Sequence, residues 1–297
     1  MSLTSFLKLT EVRTEFTNTF KFENPKLSGD LKAKPQSENY TLVGTAFDYL
    51  LRFHVERLNA NSITKMWVAE SAMEKVREKP IGLSLKATMA RGMKPRPVGE
   101  PTIYEKIEEG YAESKENYLK FRENGILSDK LLRSCVFLAK LDPIVRAGIS
   151  MFNPKVLDMN NEPEITDLKN LMSIVNFDHF KSSNVCMLNP TFGAGSIMVG
   201  GADADLVIDD TLIDVKTTKN LKITRENYNQ LIGYYILSKI GGIGGTKEHK
   251  IKNVAIYFSR HGLLHTIPVS RFENNPKFDS FLGWFKEKAE RVSLSSQ

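Results

Sequence analysis

VGGADADLVIDDTLIDVKTT, running from Val199 to Thr218, sets two short apolar runs, Leu206-Val207-Ile208 and Leu212-Ile213, on either side of Asp209-Asp210. Short polar side chains tolerate the left-handed backbone of a tight reversal, so the stretch reads as a β-hairpin. A two-residue loop of Asp209 and Asp210 puts Ile208 opposite Thr211 and, running back along both strands, Asp205 opposite Asp214. A three-residue turn that took in Thr211 would instead set Asp205 against Val215. Facing Cβ atoms lie about 4.5–5.5 Å apart, and like charges there repel. Side chains alternate along a strand, so Asp214 and Lys216 share a face. Two carboxylates and one ammonium thus converge, and a divalent cation would relieve the repulsion.

The rest of the chain supplies a setting for this focus. At 297 residues, 41% hydrophobic and 26% charged, it has the composition of a globular protein with a sizeable core. No apolar run approaches the roughly 18–20 residues that span a bilayer, and the start lacks the pattern of a signal peptide, so a cytoplasmic protein is expected. Two cysteines, Cys135 and Cys186, are too few for a disulfide framework, a zinc site or an iron–sulfur cluster, and both suit a core. The net charge of +6 is modest, but its distribution is uneven. Asp203, Asp205, Asp209, Asp210 and Asp214 form an acidic run without a base. From Lys216 to Arg260 there follow nine bases, among them Lys219, Lys222 and Arg225, against Glu226 and Glu248. An acidic focus with a basic flank suits a metal site beside a polyanion track; an unevenly charged solvated surface is the plainer alternative.

Periodicity organises the flanks. Phe47, Leu50, Leu51 and Val55 recur at helical spacing, predicting an amphipathic helix that opens near Gly44, with Asp48 in its first turns, where the helix dipole favours a carboxylate. Residues from about Ser62 to Lys79 also read as helix. Lys79 to Ile103, with four prolines and the bases Lys86, Arg91, Lys94 and Arg96, reads as a basic loop. Tyr104 to Ala147 predicts two helices broken near Gly125, and Asn153 to Glu164 another loop. From Leu168 the pattern turns to strands, with short ones at Asn184–Leu188 and Ser196–Val199. Thr224 to Lys239 predicts a helix capped by Thr224, with Gln230 and Tyr234 on one face. Gly241 to Gly245 is a turn, and Lys247 after it lacks the Gly-Lys-Ser/Thr ending of a phosphate loop. Val254–Phe258 and Leu263–Val269 are further strands, joined through His261-Gly262, and Phe278–Arg291 is a closing helix. The five histidines show no metal-ligand spacing.

Hard cations such as Mg²⁺ take oxygen ligands, commonly one or two carboxylates with waters and substrate phosphate. Asp205 and Asp214 supply the carboxylates, and the backbone carbonyl of Val215 offers a further oxygen. A cation so held activates water and stabilises charge on a phosphodiester. Lys216 is placed to position that water, to help deprotonate it, or to stabilise the transition state. Asp203 lies on the same face as Asp205 and rivals it; Asp205 directly precedes the apolar run and pairs with Asp214.

GGADADLVI…IDVKTT, followed by a helix carrying QLIGY, resembles the PD-(D/E)XK nuclease superfamily, specifically its RecB-type exonuclease branch. In that branch a Gln-x-x-x-Tyr element follows the catalytic lysine, matched here by Gln230 and Tyr234. An upstream helix opening with Gly contributes a metal-facing residue, often His; here Gly44-Thr45-Ala46-Phe47-Asp48 carries Asp48 at that place. The likeness covers Gly44–Arg57 and about Val199–Leu237, and this chain lacks the four cysteines that hold an iron–sulfur cluster in some relatives. It implies an α/β fold with a central mixed β-sheet flanked by helices, a restriction-endonuclease-like core with the hairpin as its middle strands. The implied domains are a nuclease core in residues 1–60 and 165–297 and a mainly helical insertion in 61–164 that shapes one wall of the site and offers a surface to a protein partner. It implies Mg²⁺- or Mn²⁺-dependent hydrolysis of DNA, exonuclease-like, in repair, recombination or defence. Asp205, Asp214 and Lys216 would be catalytic, and Asp48, Asp205, Asp214 and Val215 would hold the metal. Gln230 and Tyr234 would contact DNA or orient Lys216, with Lys219, Lys222 and Arg225 as further DNA contacts; a half-buried helix face is the plainer account of Gln230 and Tyr234. The competing readings are a catalytically silent DNA-binding or assembly subunit that keeps the fold, and an enzyme acting on RNA or nucleotides.

Overall fold

The computed structural model describes residues 2–64, 67–78, 102–146, 148–149 and 152–294. The basic loop expected over Lys79–Ile103 lies almost wholly outside the described residues. The chain divides into two compact units, one of Met1–Lys32, Leu58–Lys65 and Ile174–Gln297, the other of Ala33–Arg57 and Met66–Ser173.

The first unit is built on a mixed six-stranded sheet in sequential order, among the described residues. Its strands are β1 (Ile63–Thr64), β2 (Cys186–Leu188), β3 (Leu206–Ile208), β4 (Thr211–Lys216), β5 (Asn253–Phe258) and β6 (Leu263–Pro268). β1–β2 and β4–β5 run parallel, and the other neighbours antiparallel. The hairpin supplies the two middle strands. Its register, Leu206↔Ile213, Val207↔Leu212 and Ile208↔Thr211, is that of the two-residue loop and excludes the three-residue turn. Asp209 takes the left-handed conformation there, at φ 50°.

Both loop acids are structural. The Asp209 carboxylate accepts the backbone N–H groups of Ser183, Asn184 and Val185 at 2.8–3.1 Å, fastening the approach to β2. Burial works against its charge, but those N–H groups outweigh it and hold the carboxyl below the usual aspartate range. Asp210 takes Lys252 at 3.0 Å, at the start of β5.

The crossover from β4 to parallel β5 is a helix, Arg225–Gly241, opened by a capping box between Thr224 and Asn227. Nearly every side chain from Tyr228 to Leu237 is buried, because the helix is covered on several sides. Around it packs a phenylalanine-rich cluster that joins the two ends of the described chain. Phe6 and Phe16 belong to the helices Leu3–Phe6 and Thr10–Thr19, and Phe281 and Phe285 to the closing helix Phe278–Leu294. Phe16 meets Phe281 edge-on with ring centroids 4.9 Å apart, and Phe6 meets Phe285 at 5.2 Å.

The second unit is helical: Tyr40–Leu58, Val68–Glu78, Ile103–Asn124, Asp129–Arg146 and Glu162–Ser173. The helix Ile103–Asn124 stops at Gly125, which adopts φ 71° as its left-handed cap, as the break near that glycine implied. Tyr49, Phe53, Trp67 and Tyr118 pack at tilted and edge-on angles into an aromatic centre. Cys135 in this unit and Cys186 in the first are free and buried.

Several expectations change. Ser196–Val199 is a short helix, Ala194–Met198, rather than a strand, because the Ser196 hydroxyl closes a tight loop by accepting Phe192 N–H and donating to the Ala202 carbonyl. The span from Ser62 begins as β1 and turns helical only at Val68. The Asn153–Glu164 loop contains a 3₁₀ turn, Pro154–Asp158, and the strand region opens with a helix that runs to Ser173. The helix bearing Asp48 groups with the helical unit rather than with the sheet. No described helix is long and apolar enough to cross a membrane.

Candidate functional site

The site is assembled at the end of β4, where the chain leaves the sheet. Asp214 is the last buried residue of β4, at 3% exposure, and Lys216 two positions on shares its face. The Lys216 ammonium reaches both Asp214 oxygens, Oδ1 at 3.0 Å and Oδ2 at 2.8 Å. It also donates to Gln230 Oε1 at 3.1 Å, and Gln230 Nε2 donates to the Tyr234 hydroxyl at 2.8 Å. One turn of helix separates Gln230 from Tyr234, and that spacing lets both join one chain of hydrogen bonds from Asp214 to Tyr234.

Asp205 completes the group from the neighbouring strand. The β3–β4 register continues by one step to set it opposite Asp214, and its Oδ2 accepts the Val215 N–H at 2.6 Å. A residue's N–H and C=O leave the same edge of a strand. Lys216 turns its carbonyl to the β5 side, where Ser259 N–H binds it at 3.1 Å, so the Val215 carbonyl looks toward the Asp205 edge. Two carboxylates and a main-chain carbonyl are a hard-oxygen donor set, suited to a Mg²⁺-like ion and lacking thiol or imidazole. Among the described residues, no group of three or more His, Cys, Asp or Glu side chains gathers as a metal cluster.

Electrostatics tie the group together. Burial alone would depress Lys216, but the charges of Asp214 and Asp205 outweigh it and hold the ammonium above the ordinary lysine pKa. Lys216, with 27% of its side chain exposed, is therefore a charged donor at neutral pH. Burial pushes the Tyr234 phenol well above its usual value, and the charges of Asp214, Asp205 and Asp203 push it the same way; the Gln230 hydrogen bond opposes them. Asp203 thus acts on the same locus, while its backbone forms an isolated bridge with Thr191.

The other candidate residues fall elsewhere. Lys219 and Lys222 are exposed on the segment between β4 and the crossover helix. Arg225 has a structural occupation: its guanidinium binds the carbonyls of Phe20 at 2.8 Å and Phe16 at 2.6 Å, closing the end of the helix Thr10–Thr19. Asp48 lies in the helical unit and in the body of its helix, which starts at Tyr40, so it is no helix-start residue. Its Oδ2 pairs with Arg52 at 2.6 Å, and its Oδ1 is buried with no hydrogen-bond partner. Sequence reasoning passed over Thr217 and Ser259. Their hydroxyls meet at 2.9 Å beside Lys216, at the carboxyl ends of the parallel pair β4–β5. The signal available was a hydroxyl residue directly following each strand. His261 is turn chemistry, its Nδ1 lying 2.9 Å from the Asp30 carbonyl.

Comparisons with protein-family models, with curated proteins and with solved structures find no match to this chain.

Proposed function

We propose that the chain is a Mg²⁺- or Mn²⁺-dependent deoxyribonuclease of the PD-(D/E)XK type, acting in the cytoplasm in repair, recombination or defence, with exonuclease-like action on DNA. The observation that carries this reading is the chain Asp214–Lys216–Gln230–Tyr234 with Asp205 opposite, gathered at one strand end. The likeness of GGADADLVI…IDVKTT and QLIGY to the RecB-type branch supports it. Asp205, Asp214 and the Val215 carbonyl would hold the metal, which supplies Lewis acidity for the water and the phosphoryl oxygens.

The protein's own part is placement. In hydrolysis a water oxygen bonds to phosphorus, one ester P–O bond breaks, and the departing oxygen takes a proton. Lys216, kept as an ammonium, has only protons to donate; it orients the water through its oxygen or stabilises the charge that builds on the phosphoryl group. Gln230, braced by Tyr234, fixes where that ammonium sits. Lys219 and Lys222 offer exposed charge to the DNA backbone, a contribution that weakens with salt.

The test is cleavage of linear, circular and single-stranded DNA by purified protein with Mg²⁺ or Mn²⁺. Wild type should cut, and Asp214→Ala and Lys216→Ala should lose at least ~100-fold of the rate, the scale for deleting a positioned charged group. Equal background cutting by all three would sink the proposal. Linear against circular substrate separates end-dependent from internal cleavage, and an RNA arm tests the substrate class.

The ion pair between Asp48 and Arg52 favours a second reading, a silent DNA-binding or assembly subunit, because it occupies one oxygen of the residue offered as an upstream ligand. Salt-sensitive DNA binding, unchanged in Asp214→Ala and never accompanied by cleavage, would establish that reading. Nicked product from wild type would exclude it.

A further inference from the structure

The helical unit holds a second feature with its own chemistry. A cavity of about 570 Å³ opens between the helices Tyr40–Leu58 and Asp129–Arg146, a size within the ~300–1,000 Å³ range of small-molecule sites. Leu42, Ala139, Pro143, Phe152, Val156 and Met159 give it apolar walls. A smaller cavity of about 260 Å³, lined in part by Lys130 and Arg133, adjoins it, and Lys140 and Met159 line both.

Lys140 is the unusual member. It is only 7% exposed, yet among the described residues it makes no hydrogen bond and no ion pair within 4 Å. Burial depresses its ammonium, while Glu164 and Asp158 raise it from beyond pairing distance. Both carboxylates are engaged elsewhere. Glu164 accepts from the Ser37 hydroxyl at 2.7 Å and from Asn161 at 3.2 Å, and Asp158 pairs with Lys106 at 2.8 Å. Asp142 at the same wall faces Arg146 at 3.4 Å and receives the Tyr49 hydroxyl at 3.1 Å. The side chain is largely covered while its ammonium opens on the cavity, so the charge is partly desolvated without a counter-charge, and an anion seated against it offsets that cost.

We propose that this cavity binds a small amphipathic anion, its carboxylate or phosphate head against Lys140 and an apolar body against Leu42, Pro143 and Phe152. The site stands whether or not the sheet unit cleaves DNA. The cavity is too roomy for a bare inorganic ion to fill, and Arg146, the other cation on its lining, is largely exposed and faces Asp142, which leaves Lys140 to the head.

Calorimetric titration of the full chain with phenyl phosphate, octanoate, inorganic phosphate and benzyl alcohol tests the site. At least one organic anion should bind with one-to-one saturation, and whichever binds more tightly identifies the head group. Inorganic phosphate and benzyl alcohol should bind at least tenfold more weakly. Lys140→Met should weaken the preferred anion at least tenfold, and Lys140→Arg should restore most of the binding. Thr45→Phe, which fills the cavity from the opposite helix and leaves Lys140 in place, should abolish it; this variant decides the matter if Lys140→Met fails to fold. Absence of saturation by either anion overturns the proposal. So does wild-type affinity in Lys140→Met or in Thr45→Phe, or inorganic phosphate or benzyl alcohol matching the organic anion.

Discussion

Asp142 is buried between Tyr49 and Arg146, within electrostatic reach of Asp48, and burial pushes its carboxyl up to about 6 against the attraction of Arg146 and Arg52. A carboxyl whose folded pKa is raised binds its proton more tightly in the native state. Its contribution therefore favours the fold at acid pH and is lost as pH rises from about 4 through about 6. At neutral pH the charged form costs up to about 3 kcal/mol, taking roughly 1.4 kcal/mol for each unit of pKa. Asp142→Asn keeps an acceptor for the Tyr49 hydroxyl and removes the charge. Urea unfolding should find the variant about 1–3 kcal/mol more stable than wild type at pH 7 and nearly equal at pH 4. A constant difference across that range would refute the assignment. At this scale the candidate site was readable where its geometry is local. The period of two puts Asp214 beside Lys216, a two-residue turn sets Asp205 opposite, and a helical turn aligns Gln230 with Tyr234. What escaped depends on distant partners. The carbonyls that bind Arg225 lie 205 and 209 positions away, and the N–H groups gathered by Asp209 lie 24 to 26 away.

Elements were readable in proportion to their length and their end signals. The crossover helix declared itself through Thr224, and the Gly125 break through its glycine. Ser196–Val199 misled because a short apolar run carries no decisive period, and a serine hydroxyl then turned it into a helix. The contact between that short helix and the crossover helix is unusually close. A Cβ on Gly241 would lie 1.9 Å from the Phe192 carbonyl oxygen and 2.5 Å from the Gly195 nitrogen. In an open helix, alanine for glycine gains up to about 1 kcal/mol. Here the obstruction is backbone and cannot rotate away. Gly241→Ala should instead lose about 1–3 kcal/mol, the usual cost of overpacking, in chemical denaturation. A neutral or stabilising result would mean that the two helices separate at no cost.

On the scale of the whole molecule, boundaries near residues 60 and 165 were expected, but the chain passes between its two units at four places. Helical spacing identified Tyr40–Leu58 as a helix without revealing which unit it joins. Its grouping rests on Tyr49 and Phe53 meeting Trp67 and Tyr118, pairings that no local pattern encodes. The sheet unit makes a comparable long connection, since Phe6 and Phe16 pack on Phe285 and Phe281. During synthesis the ribosome delivers the first phenylalanines long before the last. Leu3–Phe6 and Thr10–Thr19 must wait, partly uncovered, until the closing helix leaves the exit tunnel. A chain ending at Lys277 should therefore aggregate on expression, or lose protease protection within its first twenty residues; a soluble product as resistant there as full length would contradict this. Emergence of the helix Phe278–Leu294, rather than any earlier milestone of translation, is the event that seals this unit.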